Sequence, residues 1–484
     1  MKKFGLRAYS MDSQLNQSKA GRITNRWRVV LVILACLITL YVAYRFVLGH
    51  AVDVRIEAIR RAGLPATCAE FDKWYTHVPA GENAADFYIQ AGEHYNRWTN
   101  TLSQPIFITN TWTHPYRARK KSDLLPIEGD VKLPPRTEQL PAEMKQLIGE
   151  YLTDNAEALR LLHQAASTKR CRFLVDLDKG PCVLDHMSQP RQGVRLLMLE
   201  AIENSESQKP EQAAESVVAS LAITRALNQE PVIISRLVAI ACHGVSIESL
   251  QHVLNRTPLT DEQLVKLAVA LMETEDPQGL TRMFIGERCF GIDRFEQIRQ
   301  DKWRSSSDDT SYWYAQLFRC LWKASGLLEL DELAYLNLMH DFVKATQLSP
   351  PQSIAATKAL TVKAKQLPFY VILSRRTLDG LDNVVTFDVR QVARVRTAVA
   401  SLAIERYRLA KGDLPEKLSD VVPTYLDAIP QDPFDGKPLR YKKLVRGYVV
   451  YSVGDDGEDN GGAELNSEGL SVGKGTDITF IIER

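Results

Sequence analysis

Residues 29–44, VVLVILACLITLYVAY, form an uncharged run behind a leader holding Lys2, Lys3, Arg7, Lys19, Arg22, Arg26 and Arg28 against the single acid Asp12. A helix made of this run has no polar face to turn to water, so it needs an apolar solvent. At 1.5 Å per residue it covers about 24 Å, and about 30 Å when extended to Leu48, which is enough to cross the hydrocarbon core. Arg45 then sits near the far interface, where its long stem can snorkel. Trp27, Tyr41 and Tyr44 fall where belt aromatics are expected, and the basic flank is expected to stay cytoplasmic. The expectation is a signal-anchor helix over 29–48, a cytoplasmic tail over 1–28, and everything after His50 in the periplasm, outside a bacterial inner membrane. The rival is a cleaved signal peptide with Gly49-His50-Ala51 as its processing site. The 28-residue leader and the long apolar run favour the anchor.

A chain of 484 residues exceeds one ordinary domain. Lys+Arg 60 against Asp+Glu 59 supplies no excess of positive charge for phosphate backbones, so no nucleic-acid partner is expected. Outside the span lie Cys68, Cys171, Cys182, Cys242, Cys289 and Cys320, in a compartment where disulfides persist. Cys171 and Cys182 are the best local pair, because CRFLVDLDKGPC turns at Gly180-Pro181. Buried thiols are the alternative, Cys242 above all. No Cys/His spacing suggests zinc.

Residues 51–141 read as a charged helical stalk, a helix capped at Asn83, and a loop carrying Pro105, Pro115, Pro126, Pro134, Pro135 and Pro141. Residues 142–385 read as an α-helical domain. Met144, Leu147, Ile148, Tyr151 and Leu152 make a core-facing stripe in a helix over 142–167. Further helices are expected at 189–207, 210–229, 231–255, 261–275 (capping box Thr260/Gln263), 278–300, 311–346 with a break, and 352–366. Short connections imply antiparallel neighbours, hence an irregular bundle or solenoid-like arrangement.

Residues 386–484 read differently. Asp388 with Gln391 suggests a capping box, Val392, Val395, Val399, Leu402 and Leu409 an apolar stripe, and Gly412 a helix stop. Strands follow at 439–444, 447–453 and 476–482, the minimum sheet for a stable layer against one helix. Leu414-Pro415, the apolar-Pro run 426–430, Asp432-Pro433 with Gly436 and Tyr441, and Ser452-x-Gly454-x-Asp456-Gly457 resemble the globular half of the type II secretion pseudopilin G family. The resemblance covers about a fifth of the chain. It implies an α+β domain with a three-stranded antiparallel sheet and a calcium-binding loop, with Asp456 and Asp477 as carboxylate ligands and Ser452 as a nearby oxygen. Calcium takes six to eight oxygens, which carboxylates and loop carbonyls supply. The chain departs from the family in lacking the Gly-Phe-Thr-Leu-x-Glu processing sequence and in the long helical insertion before this domain. Those departures remove the role of a fibre subunit.

Elsewhere His163, His186, His243 and His252 lie scattered and read as structural. Glu287 and Arg288 suggest a partly buried ion pair, RSSSDDTSYW an exposed loop, and Trp303, Trp313 and Trp322 core packing. No catalytic constellation stands out. The expected protein is mainly α: a membrane-anchored periplasmic interaction or scaffold protein whose partners are envelope or secretion-assembly proteins. The alternatives are an envelope hydrolase with its site in the helical domain, or a helical module binding peptides or glycans.

Overall fold

Anchor and stalk form a single helix, α1 (Gly5–Arg61), because the stretch after the apolar run contains no proline and one glycine, Gly49. The computed structural model describes residues 5–75, 77–79, 81–99, 120–129, 131–173, 185–302, 313–463 and 476–484, with side chains from Trp27 on except at 313–315 and 318. Every side chain from 27 to 44 is exposed. One turn later the same helix is gripped by protein: Leu48, Val52 and Ile59 are buried, the last two against Ala66, Ile292 and Leu336.

Two short helices follow, α2 (Cys68–Trp74) and α3 (Ala84–Glu93). Thr67 and Asn83 cap them by accepting N–H groups of the first turn. The helix expected over 142–167 is two, α4 (Ala142–Asp154) and α5 (Ala156–Ala166). Asn155 divides them. Its side chain accepts the Asn96 N–H at 2.8 Å and donates to the Tyr151 and Asn96 carbonyls, so it holds the chain to the segment after α3.

The helical body continues with α6 (Ser188–Glu206), α7 (Pro210–Asn228), α8 (Ile233–Arg256), α9 (Asp261–Met272), α10 (Gly279–Arg299), α11 (Trp313–Ala324), α12 (Leu327–Ala345), α13 (Pro350–Lys365) and α14 (Ile372–Thr377). Sequence neighbours pack on one another, α6 on α7 and α7 on α8, as short connections dictate. The Thr260/Gln263 capping box forms as expected. The expected break within 311–346 falls at Gly326, whose φ of 83° suits glycine.

The last helix, α15 (Leu381–Lys411), begins earlier than its apparent capping box. Asp388 and Gln391 lie two turns inside it, and Gly380 with φ 80° is the true entry. Leu381, Val384 and Val385 extend the apolar stripe backwards, so packing overrides the local signal. At the other end Gly412 caps the helix as expected. Three strands follow, β1 (Arg440–Lys443), β2 (Tyr448–Ser452) and β3 (Ile478–Ile482), antiparallel in the order β1-β2-β3. Tyr448, Val450, Phe480 and Ile482 face α15, while Val449, Tyr451 and Ile481 form a small cluster on the opposite face.

The core beneath the sheet is shared. Val395, Val399 and Leu402 of α15 join Val217, Leu250, Leu254, Leu264 and Leu267 of α7, α8 and α9 in one hydrophobic cluster. The expected domain boundary at 385/386 therefore runs through a continuous helix and a continuous core. Among the described residues two helices are long and apolar enough to cross a membrane by length and composition: α1 over Trp27–Arg61, and α8, whose apolar stretch is half buried inside the protein.

Candidate functional site

The residues that resemblance assigns to calcium come together only in part. Ser452 is fully buried at the end of β2, where its hydroxyl donates to Asp432 Oδ1 at 2.8 Å and accepts the Gly454 N–H. Asp432, also fully buried, accepts the Val453 N–H at 2.9 Å and the Arg440 guanidinium at 2.6 Å. Ser452 thus belongs to a knot tying the Pro-rich turn to the sheet. Asp477 accepts the Gly462 N–H at 2.7 Å and the Asn460 N–H at 3.3 Å. Asp456 accepts the Glu458 N–H at 3.1 Å. Burial raises the Asp477 pKa, and the nearby Asp459 and Asp456 carboxylates raise it further. Asp456 and Asp477 therefore share one acidic loop face, and Ser452 stands apart. Residues 464–475 of that loop lie outside the described residues. Among the described residues no group of three or more His, Cys, Asp or Glu side chains is placed to hold a metal ion.

Cys171 is a buried free thiol; Cys182 lies outside the described residues, as do Trp303 and most of RSSSDDTSYW. Glu287 and Arg288 do not pair with each other. Glu287 accepts the Ile233 N–H at the start of α8 at 3.0 Å, and Arg288 donates to the Pro65 carbonyl at 3.4 Å. Adjacent helix positions point apart, so this divergence follows from the 3.6 period.

Two histidines do find carboxylates that sequence spacing hides. His163 meets Glu200 at 2.7 Å, and Ser216 donates to the same carboxylate at 2.7 Å. His186 meets Glu230 at 2.9 Å, with the Ser235 hydroxyl on its other oxygen. In both trios the carboxylate is the central member and serine does not touch imidazole. A nucleophile needs the base on its own hydroxyl, so these trios serve as helix ties.

A cleft of about 720 Å³ lies elsewhere, between α10, α12 and α13 on one side and α8 and α15 on the other. At its floor Arg236 of α8 donates through Nε to Asp388 of α15 at 2.6 Å. Arg236 is 2% exposed, and its Nη1 has no partner. That nitrogen is 3.0 Å from where a Cβ on Gly279 would stand, so the missing side chain leaves room for it. At the rim Arg396 bonds Glu275 at 2.8 Å and Arg282 bonds Asp276. Behind the floor lies His243, fully buried with both ring nitrogens unpartnered. Burial, then the charges of Arg394 and Arg236, hold its pKa down to about 3. Leu280, Ile285, Val343 and Val395 supply apolar wall. The cleft offers paired charges and apolar surface, and no histidine or cysteine is among its lining residues. That combination suits recognition of an amphipathic group.

The site is invisible in the sequence because its walls come from segments more than 100 residues apart, such as Arg236 and Asp388. The signal present was Asp388 itself, a carboxylate within the apolar stripe of a helix.

No protein-family model, curated protein or solved structure matches the chain.

Proposed function

We propose that this chain is a single-pass, membrane-anchored interaction protein of a bacterial envelope. In this reading α1 spans the inner membrane, residues 1–28 stay in the cytoplasm, and the helical body with its C-terminal sheet lies in the periplasm. The observation that carries it is the change along α1: every side chain is exposed from 27 to 44, yet Val52 and Ile59 are core residues of the body. An apolar helix exposed all round is stable only in lipid. The cleft floored by Arg236 and Asp388 is the proposed contact surface for an envelope or secretion-assembly partner. The packing of α15 on an antiparallel sheet supports the pseudopilin-like reading of the C-terminal unit. Calcium in its loop rests on the resemblance and on Asp456 and Asp477 lying near enough for one carboxylate to raise the pKa of the other.

Topology is tested by labelling Val445→Cys, fully exposed in the hairpin, in a chain whose Cys36, Cys182 and Cys320 are replaced by serine, with a membrane-impermeant thiol reagent in intact spheroplasts. Labelling without lysis is expected; labelling only after lysis overturns the orientation. Calcium is tested by melting the full chain in detergent with millimolar calcium and with chelator. A rise in midpoint is expected through preferential binding to the native state, and no shift removes calcium from the reading.

A further inference from the structure

The helix α11 carries its apolar stripe on the wrong side for a soluble protein. Leu317, Cys320, Leu321 and Ala324 stand at i, i+3, i+4 and i+7, the spacing that normally faces a core, and all four are exposed. Leu317 is 49% and Leu321 60% exposed, whereas Trp322, on the opposite side of the helix, is buried against Leu280, Leu328 and their neighbours. The arc is not a fragment of core left uncovered by chance, because its helix is already seated by Trp322.

The position of α11 says what covers the arc. Its C-terminal end is held by the apolar segment of α1: the Tyr41 hydroxyl donates to the Ala324 carbonyl, and Arg45 donates to the Lys323 carbonyl. Arg45 also bonds Glu329 at 2.7 Å, a carboxylate only 8% exposed. Tyr41 and Arg45 bracket the last turn of the uncharged run, where a span meets the headgroups. A helix end at that depth has no water for its last carbonyls, and a charge there needs a partner. Both demands are met, the carbonyls by Tyr41 and Arg45 and the charge by Glu329.

We propose that α11 lies in the outer leaflet beside α1, with Leu317, Cys320, Leu321 and Ala324 turned into the acyl chains. The occupant of this face is the lipid surface, and the proposal rests on the reading of α1 as a span. It makes α11 an interfacial foot that fixes the tilt of the body against the membrane.

Cys36 and Cys320 are the exposed cysteines among the described residues, so the protein carries its own probes. The full chain, with Cys182 and one of these two replaced by serine, is spin-labelled and reconstituted into phosphatidylcholine–phosphatidylglycerol vesicles. Collisions with oxygen report lipid, and collisions with a water-soluble nickel chelate report solvent; Val445→Cys provides the solvent reference. Expected is an oxygen-accessible, nickel-shielded label at both cysteines, shallower at Cys320, and the same for Leu317→Cys and Leu321→Cys. A nickel-accessible Cys320 with Cys36 in lipid overturns the foot alone. Both labels in water overturn the span and the foot together. A Cys320 label shielded from both reagents means a protein covers the arc, which also overturns the proposal.

Discussion

The guanidinium of Arg236 and the carboxylate of Asp388, 152 residues apart in sequence, meet with Arg236 Nε 2.6 Å from Asp388 Oδ1 on the floor of the cleft. Arg236 has 3% and Asp388 10% of its side chain exposed. Breaking such a pair leaves an uncompensated charge, which costs about 3–5 kcal/mol, whereas replacing both members with apolar residues is often neutral. Asp388→Ala is expected to lower the unfolding free energy by that order, read from the denaturant midpoint at unchanged m. Arg236→Met with Asp388→Leu should recover most of the loss. A double variant as unstable as the single one would show that the pair adds net stability.

The sheet is pinned to α15 by Tyr448, whose hydroxyl donates to the Ser401 carbonyl and to Glu405 Oε1, each at 3.0 Å. Glu405 also receives Arg408 and the C-terminal Arg484. Tyr448→Phe removes one donor and leaves acceptors still partly met, so a loss of about 1–2 kcal/mol is expected. Glu405→Ala strands two cations and should cost more, about 3 kcal/mol or above. Urea denaturation of the two variants side by side checks the order.

Two buried groups give the stability opposite slopes with pH. Burial, opposed by Arg299 and aided by Glu329 and Glu296, raises the Glu332 pKa to about 7 from 4.5. The native state then holds a proton that the unfolded chain has lost, so stability falls as pH rises from 4.5 to 7. His243, held down to about 3 from 6.5, binds its proton in the unfolded chain first. Its contribution is therefore lost as pH falls from 6.5 toward 3. Each limb is on the order of a few kcal/mol. Melting from pH 3 to pH 8 should show His243→Leu flattening the acid limb and Glu332→Gln the limb between 4.5 and 7.

The continuity of α15 with the core of α7, α8 and α9 has a consequence for dissection. A fragment of residues 386–484 exposes Val395, Val399 and Leu402, which are buried in the whole protein. It is expected to melt broadly and to bind a hydrophobic dye. A sharp transition matching that of the full chain would show a self-sufficient unit.

Much of the fold was legible because local signals and packing agree. Thr260 with Gln263, Asn83 and Gly412 all cap where the sequence places them, and the three strands fall within their expected bounds. Asn155 shows where that agreement fails: its side chain bonds Asn96, and a partner 59 residues away leaves no local trace. Asp388 failed for a different reason. A carboxylate with glutamine three residues later fits both a cap and a buried ion pair, and only the preceding apolar residues decide between them. The cleft was illegible as a whole, since no single segment contains enough of it.

An unbroken α1 also limits how far the protein can search. A body on a supple tether sweeps a volume whose radius grows with linker length. Here the 35 residues Trp27–Arg61 make a rod of about 50 Å, rooted in the body by Val52 and Ile59. With this rod upright in a bilayer, the body patrols a thin sheet of space at constant altitude. Encounter then becomes a two-dimensional problem, and any contact made through the cleft belongs to molecules that present themselves at that height.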